Sequence, residues 1–323
     1  MKFGVLLPHF GRLGTPERVL SAARAAEQAG FHSVWVRDHL VYEPHGFEDQ
    51  DPTFLEPFTT LAAVAAAAPA VTLGTAVIIP FRHPLVTAQS YLTLAAFARA
   101  GVMAGIGAGR FDHEFTAVGL RARARFTMTE EFAEILRLAF TSDRFNYEGR
   151  HFRIPEIWLT PRPRVPIPIL MGGQTEGALR RAARCDGWLA SRQTYATFTA
   201  RLRRFREMRE EAGRQDPPLV AMVALASIGD TSEEARRLLD VPAIIAEANR
   251  SPYLLRPPSG AFERFEDLAG MILAGTAAEI CEGSDRFAAL GVGHLIFDFR
   301  QDFAGMEKQM ARLGREVLPR YRR

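Results

Sequence analysis

An aspartate and a histidine stand side by side at Asp38-His39, directly after the apolar run Ser33-Val34-Trp35-Val36 and Arg37. A histidine at a strand end can give or take a proton near neutral pH, because its ordinary pKa lies close to 7. The same position also suits a histidine that is merely hydrogen-bonded into the framework. Two glycine turns offer a different chemistry. Val102-Met103-Ala104-Gly105-Ile106 reads as a buried strand running into Gly107-Ala108-Gly109-Arg110, where small residues let a flat ligand approach the backbone. Gly172-Gly173-Gln174-Thr175 precedes a helical stretch, and the free N–H groups of a helix start make a place for a phosphate. Either turn can equally be a plain strand-to-helix connection, the second with Thr175 as N-cap. His9, His39, His83, His113 and Glu114 have no zinc or two-histidine-carboxylate spacing, and no Gly-x-Ser-x-Gly elbow or Walker loop is present. Metal-assisted and hydrolytic chemistry are therefore not indicated.

The elements that must position these residues alternate along the chain. Strand-like runs fall at 3–7, 33–36, 71–79, 102–106, 167–171, 187–190, 219–228 and 294–299, and helical patterns lie between them. Thr15-Pro16-Glu17 opens the first helix and Gly30 closes it. Eight strand–helix alternations predict an α/β fold, a parallel (β/α)8 TIM barrel formed as one domain over 1–323. It carries insertions after the fourth and seventh strands. The first, 141–166, reads as an irregular crossing loop with room for a small hairpin. The second, 242–292, reads as extra helices over 265–274 and 276–290, and 114–140 reads as one helix. In such a barrel the site lies at the C-terminal ends of the strands. That gathers His9, Asp38, His39, Thr75, Ala76, Val77, Gly107, Ala108, Gly109, Arg110, Gly172, Gly173, Ser191, Arg192, Ser227, Asp298 and Arg300. A doubly wound sheet is the alternative architecture, but Pro8-His9-Phe10-Gly11 lacks the glycine fingerprint expected in its first turn.

The 323 residues are 47% hydrophobic and 24% charged, an ordinary globular balance with length for a large core. The alanine-rich run 61–70 is too short to span a bilayer and contains Pro69. Net charge is +3 and the pI about 9.1, carried almost wholly by arginine, since Lys2 and Lys308 are the only lysines. The densest basic patch, Arg201-Leu202-Arg203-Arg204-Phe205-Arg206, adjoins Glu207, Glu210 and Glu211 in a helical pattern. It reads as a solvated helix face, so neither a nucleic-acid nor a membrane partner is expected. Cys185 and Cys281 make no disulfide framework. A strand pattern from residue 3, without signal-peptide character, fits a cytoplasmic protein.

Taken in order, several blocks resemble the bacterial luciferase-like superfamily, and within it the branch of deazaflavin (coenzyme F420)-dependent oxidoreductases. They are Lys2-Phe3-Gly4-Val5-Leu6-Leu7-Pro8, Ala26-Glu27-Gln28-Ala29-Gly30-Phe31, Val34-Trp35-Val36-Arg37-Asp38-His39 and Leu73-Gly74-Thr75-Ala76-Val77. Next come Pro80-Phe81-Arg82-His83-Pro84, Gly105-Ile106-Gly107-Ala108-Gly109 with Glu114-Phe115, and Tyr147-Glu148-Gly149. Met171-Gly172-Gly173 leads the last block, through Ala178-Leu179-Arg180-Arg181-Ala182-Ala183 to Asp186-Gly187-Trp188. The resemblance implies a flavin or deazaflavin across the strand ends, cupped by a non-prolyl cis peptide at Ala76–Val77. It implies that Asp38 and His39 touch the ring region, that Thr75, Gly107, Ala108 and Gly109 lie against the cofactor, and that Gly172, Gly173 and Gln174 hold its phosphate. His39 would then be the proton donor or the group that places substrate.

The implied reaction is hydride transfer between coenzyme F420 and a small organic substrate. The alternatives are a flavin mononucleotide (FMN)-dependent monooxygenase and a catalytically silent cofactor-binding relative. The last is motivated by Leu94-Ala95-Ala96-Phe97-Ala98-Arg99-Ala100-Gly101, which lacks the Asp, Ser and Arg of the superfamily pattern. That segment is expected at the barrel's N-terminal end. Arg110 stands where relatives carry tryptophan or an acidic proton donor; it argues against the sugar-phosphate mechanism and suits a clamp for an anionic group. A homodimer through barrel-flanking helices is expected. The aromatics Phe145, Tyr147, Phe152, Trp158 and Tyr253 suit either a pocket lid or surface packing.

Overall fold

A computed structural model describes residues 1–322. Strands β1 (Lys2–Leu6), β2 (Ser33–Val36), β3 (Thr72–Thr75) and β4 (Val102–Ile106) alternate with α1 (Pro16–Ala29), α2 (Pro57–Ala67) and α3 (Pro84–Phe97). After β4 come α4 (Asp112–Ala117), α5 (Arg125–Thr141) and a hairpin of β5 (Phe145–Glu148) and β6 (Arg153–Ile157). The chain continues through β7 (Ile169–Gly172), α6 (Glu176–Arg184), β8 (Gly187–Ser191), α7 (Tyr195–Glu211) and β9 (Leu219–Ile228). Then follow α8 (Ser232–Arg237), α9 (Val241–Arg250), β10 (Ile272–Gly275), α10 (Ala277–Ala289), β11 (His294–Asp298) and α11 (Met306–Glu316).

Strands β1, β2, β3, β4, β7, β8, β9 and β11 pair in parallel, and β11 pairs with β1, closing an eight-stranded barrel. The strands are buried on both faces, as parallel strands under a ring of helices must be. Trp35, Trp188, Phe3 and Phe297 fill the core, with Trp188 stacked on Phe198 at 5.5 Å. Local sequence sets the helix ends: Thr15 accepts from Arg18 N–H, Pro16 begins α1, and Gly30 (φ 85°) lets the chain turn out of it.

Three expectations change. The third strand stops at Thr75 rather than 79; the Ala76–Val77 peptide that follows is cis, and only Ile78 rejoins the sheet as a single bridge to Ile106. The expected helix 114–140 is two, broken at Gly119 (φ 74°). The stretch 265–274 is not a helix: a short turn at Phe265–Leu268 and Gly270 (φ 93°) deliver Ile272–Gly275 to the free end of the ten-residue β9 as an added strand. The insertion 141–166 does hold the hairpin, but it is bound to α5, where the Glu131 carboxylate accepts the N–H groups of Arg150, His151 and Phe152. The segment 95–101 lies at the N-terminal end of the barrel, where Ala100 O accepts from the Thr72 hydroxyl. Among the described residues no helix is long and apolar enough to cross a membrane.

Candidate active site

At the C-terminal ends of the strands lies a cavity of about 780 Å³. Its wall contains Asp38, His39, Ala76, Val77, Gly107, Ala108, Gly109, Arg110, Gly172, Gly173 and Gln174, so the structure brings these sequence-selected residues together. Thr75 is not in that wall. It is fully buried, its hydroxyl donating to Gly105 O at 2.8 Å while the Gly105 N–H donates back at 3.0 Å, and it lies 2.7 Å from Tyr91 OH. Its work is to lock β3 to β4.

The Cβ sides of Gly107 and Gly172 face Val77. A Cβ on Gly107 would come within 2.6 Å of one Val77 methyl, and a Cβ on Gly172 within 2.7 Å of the other. The space is therefore filled by Val77, which the two glycines clasp from both sides. Gly173 (φ 124°) turns the chain into α6, where the Thr175 hydroxyl accepts the Ala178 N–H at 3.1 Å. Gln174 is held at both ends of its amide: Nε2 donates to Ser191 O at 2.7 Å, and Oε1 accepts from Arg201 at 3.3 Å.

Asp38 is buried. Its Oδ2 accepts the Ile79 N–H at 3.0 Å and a bond from Arg82, which anchors the chain just after the cis peptide. Its Oδ1 is buried without a donor. Burial pushes the carboxyl above its usual pKa range, against the pull of Arg82. His39 is fixed from both sides. Glu114, fully buried on α4, accepts from Nδ1 at 3.2 Å and from the Leu40 N–H at 2.8 Å. Arg37 Nη2 lies 3.1 Å from Nε2. Burial opposes the Glu114 charge, but the bonds from His39 and Leu40 outweigh it and hold the carboxyl below its usual range.

Behind this wall runs a buried charge network that joins residues far apart in sequence. Glu48 accepts from Arg37 at 2.8 Å, from Tyr42 OH at 2.7 Å and from Arg300, which is itself held by Asp298. Burial works against the Glu48 carboxylate, yet Arg37 and Arg300 hold it well below its usual range. The network fixes Arg37 and so the histidine beside it. His9, Ser227, Asp298 and Arg300, all expected at the strand ends, prove to be framework. His9 Nδ1 donates to Leu7 O, its Nε2 accepts the Arg37 N–H, and burial pushes its pKa down to about 3. Ser227 donates to Ala235 O.

Of the cations around the opening, Arg110 and Arg192 are expected at the strand ends, whereas Arg125 and Arg181 are not. Arg181, from α6, is buried over the Phe126 ring, and its Nε has no acceptor. Arg125 donates to Gly109 O and pairs with Asp112. Arg192 has a left-handed backbone (φ 47°), lies over Phe47 and pairs loosely with Glu247 at 3.5 Å. A left-handed non-glycine residue at a strand end is an observable of the fold, not of the residue pattern. Arg110 is exposed on the rim over Phe111 (5.7 Å), with no hydrogen bond or ion pair among the described residues. Of the five candidate lid aromatics only Tyr253 reaches the cavity; Trp158 is 61% exposed and faces away with the hairpin.

Comparison with known proteins decides the family. The family model described as luciferase-like monooxygenase matches residues 1–294. The chain belongs to that family, and its members' chemistry makes it an oxidoreductase. An uncharacterised protein of Mycobacterium tuberculosis is 33% identical over 251 residues, 73% of this chain and 86% of that protein. The F420-dependent glucose-6-phosphate dehydrogenase of Nakamurella multipartita is 28% identical over 95% of this chain and 93% of its own. A solved F420-dependent secondary alcohol dehydrogenase superposes with a TM-score of 0.78 at 20% identity, over 100% and 99% of the two chains. This last likeness speaks to the barrel fold.

Proposed function

We propose that this protein binds the deazaflavin coenzyme F420 across the strand ends and transfers hydride between it and a small organic substrate. The observation that carries the reading is the pair of unmet buried groups in one cavity. Asp38 Oδ1 has no donor and Arg181 Nε has no acceptor. A deazaflavin fits both demands, since its ring edge carries N–H groups and its side chain a phosphate. Asp38, Ala76, Val77, Gly107, Ala108 and Gly109 would hold the ring, and Gly172, Gly173 and Gln174 with Arg181 the phosphate, at the start of α6. The nearly full-length likeness to an F420-dependent dehydrogenase supports the same cofactor.

When bound, the deazaflavin supplies a ring carbon that accepts or gives hydride. The chain's own residues do the rest. His39 exchanges a proton with the substrate oxygen, Glu114 balances the charge His39 takes on, and the Glu48 network keeps Arg37 in place. The apolar walls from Phe126, Ile244, Leu254 and Met271 exclude water. Arg110 holds an anionic part of the ligand at the rim. A second copy of the chain covers α2 and α3, which pack side by side, contain no charged residue and expose Val86 and Phe97. The free thiols Cys185 and Cys281 fit work in the cytoplasm.

The test is turnover. Oxidised F420, the protein and a panel of small alcohols are mixed without oxygen, and bleaching of the deazaflavin absorbance is followed. Bleaching that His39→Ala slows by about 10²- to 10⁴-fold, with the cofactor still bound, is the expected result. Tight binding of FMN alone, with oxygen consumed on reduction, would replace this reading by a monooxygenase. Binding of neither cofactor would leave a silent relative.

A further inference from the structure

We infer that Glu114 is a positioning residue: it fixes His39 as the Nδ1–H tautomer, so that the imidazole meets substrate as a proton acceptor at Nε2 and not as a donor. The argument needs only the bonding capacity of three side chains. An ionised carboxylate accepts and cannot donate, and a guanidinium donates and cannot accept. The Glu114 oxygens lie 3.2 and 3.3 Å from Nδ1, so Nδ1 carries the hydrogen. Arg37 Nη2 lies 3.1 Å from Nε2, so Nε2 presents its lone pair. A hydrogen on Nε2 as well would oppose donor to donor.

The placement is also directional. Glu114 is fully buried and absent from the cavity wall, whereas His39 and Arg37 belong to it. Nδ1 is thus turned away from the cavity, and Nε2 is turned to Arg37, a residue of the cavity wall. Three features hold the carboxylate there. It sits in the first turn of α4, where the helix dipole favours a negative charge. It also accepts the Leu40 N–H at 2.8 Å. The next residue, Phe115, is fully buried against Ile79 and Phe81. This arrangement revises the expectation that His39 donates: in the resting protein the atom offered to substrate takes a proton, from a substrate hydroxyl as hydride leaves the adjacent carbon for the oxidised deazaflavin. Substrate takes the place of Arg37 Nη2 at Nε2, while Arg37 Nη1 keeps its bond to Glu48.

The inference rests on the proposed reaction for its chemistry but not for its test. The tautomer is read from the ¹⁵N shifts of histidine-labelled protein at neutral pH, without cofactor. The His39 signals are assigned by their loss in His39→Asn. His9, whose Nδ1 and Nε2 have their own partners in Leu7 O and Arg37 N–H, serves as the unchanged reference. In the wild type the Nδ1–H form should account for nearly all of His39. Glu114→Leu leaves Nδ1–H buried without an acceptor, so the Nδ1–H share should fall, with Arg37 alone still opposing Nε2–H. kcat should fall about 10- to 100-fold with KM within threefold, the range for losing a group that orients a functional histidine. Glu114→Gln keeps a carbonyl acceptor and should keep the tautomer. A wild-type His39 found mainly as Nε2–H overturns the inference, and that spectrum decides even if Glu114→Leu does not fold. So does a folded Glu114→Leu whose Nδ1–H share is undiminished. An Nδ1–H wild type that binds no deazaflavin would keep this inference and remove the proposed reaction.

Discussion

The two ends of the barrel both open into hollows, and the larger one is at the wrong end for chemistry. The N-terminal hollow measures about 1030 Å³, the C-terminal one about 780 Å³. They differ in what their polar groups still need. In the N-terminal lining every buried polar side-chain atom has a partner. His294 Nε2 lies 2.6 Å from Ser33 Oγ, which also accepts from Trp35 Nε1, and Tyr321 OH bonds Cys281 O and Asp285. Burial pushes the His294 pKa down to about 3, so it stays neutral. At the C-terminal end Asp38 and Arg181 each keep an unmet bond, and charges are buried in a network. Unsatisfied buried groups cost stability and persist where a ligand will meet them. Volume alone does not separate the two hollows; the polar groups each leaves unmet do.

The sharpest contrast between the ends is energetic. Glu48→Gln leaves Arg37 and Arg300 without their carboxylate and should cost about 3–5 kcal/mol of stability in denaturant unfolding at pH 7. Because the folded Glu48 pKa is depressed, its stabilisation is present above the unfolded value near 4 and fades as pH falls below it. The gap between wild type and variant should therefore close below about pH 4. A gap that stays constant with pH would mean the network's charge is not what holds the mouth together.

A paired substitution comes next in size. Arg181→Met should weaken deazaflavin binding about tenfold to a hundredfold in an equilibrium titration, the worth of a hydrogen bond to a charged group. Arg320→Met, in the other hollow, should leave it unchanged. Equal effects would erase the distinction between the ends. The smallest effect belongs to the exposed rim: Arg110→Met should raise KM for an anionic substrate by at most about fivefold with kcat unchanged, as for a solvent-exposed pair. A fall in kcat would place Arg110 in the chemistry instead.

Much of this was legible in the residues. Eight alternations carry the barrel because buried parallel strands and amphipathic helices leave different periods. Asp38, His39 and the two glycine turns lie where they were expected because barrel topology fixes which strand ends face one way. What escaped was long-range or non-periodic. Glu48 meets Arg300 across 252 residues of sequence, and no local pattern encodes that. The apolar stretch Met271-Ile272-Leu273-Ala274 is too short for period to separate strand from helix, and the open end of β9 decided it. Gly107 and Gly172 read from the sequence as turns open to a ligand, and only the fold reveals that Val77 packs between them.

Hydrogen exchange with and without oxidised F420 tests most directly which end receives the ligand. The amides of Gly107–Gly109 and of the Gly172–Gly177 turn should gain protection, and those of Gly291–Gly293 beside the larger hollow should not change. Protection confined to the Gly291–Gly293 end, or none at either end with the cofactor present in excess, would contradict the assignment of the C-terminal cavity as the site.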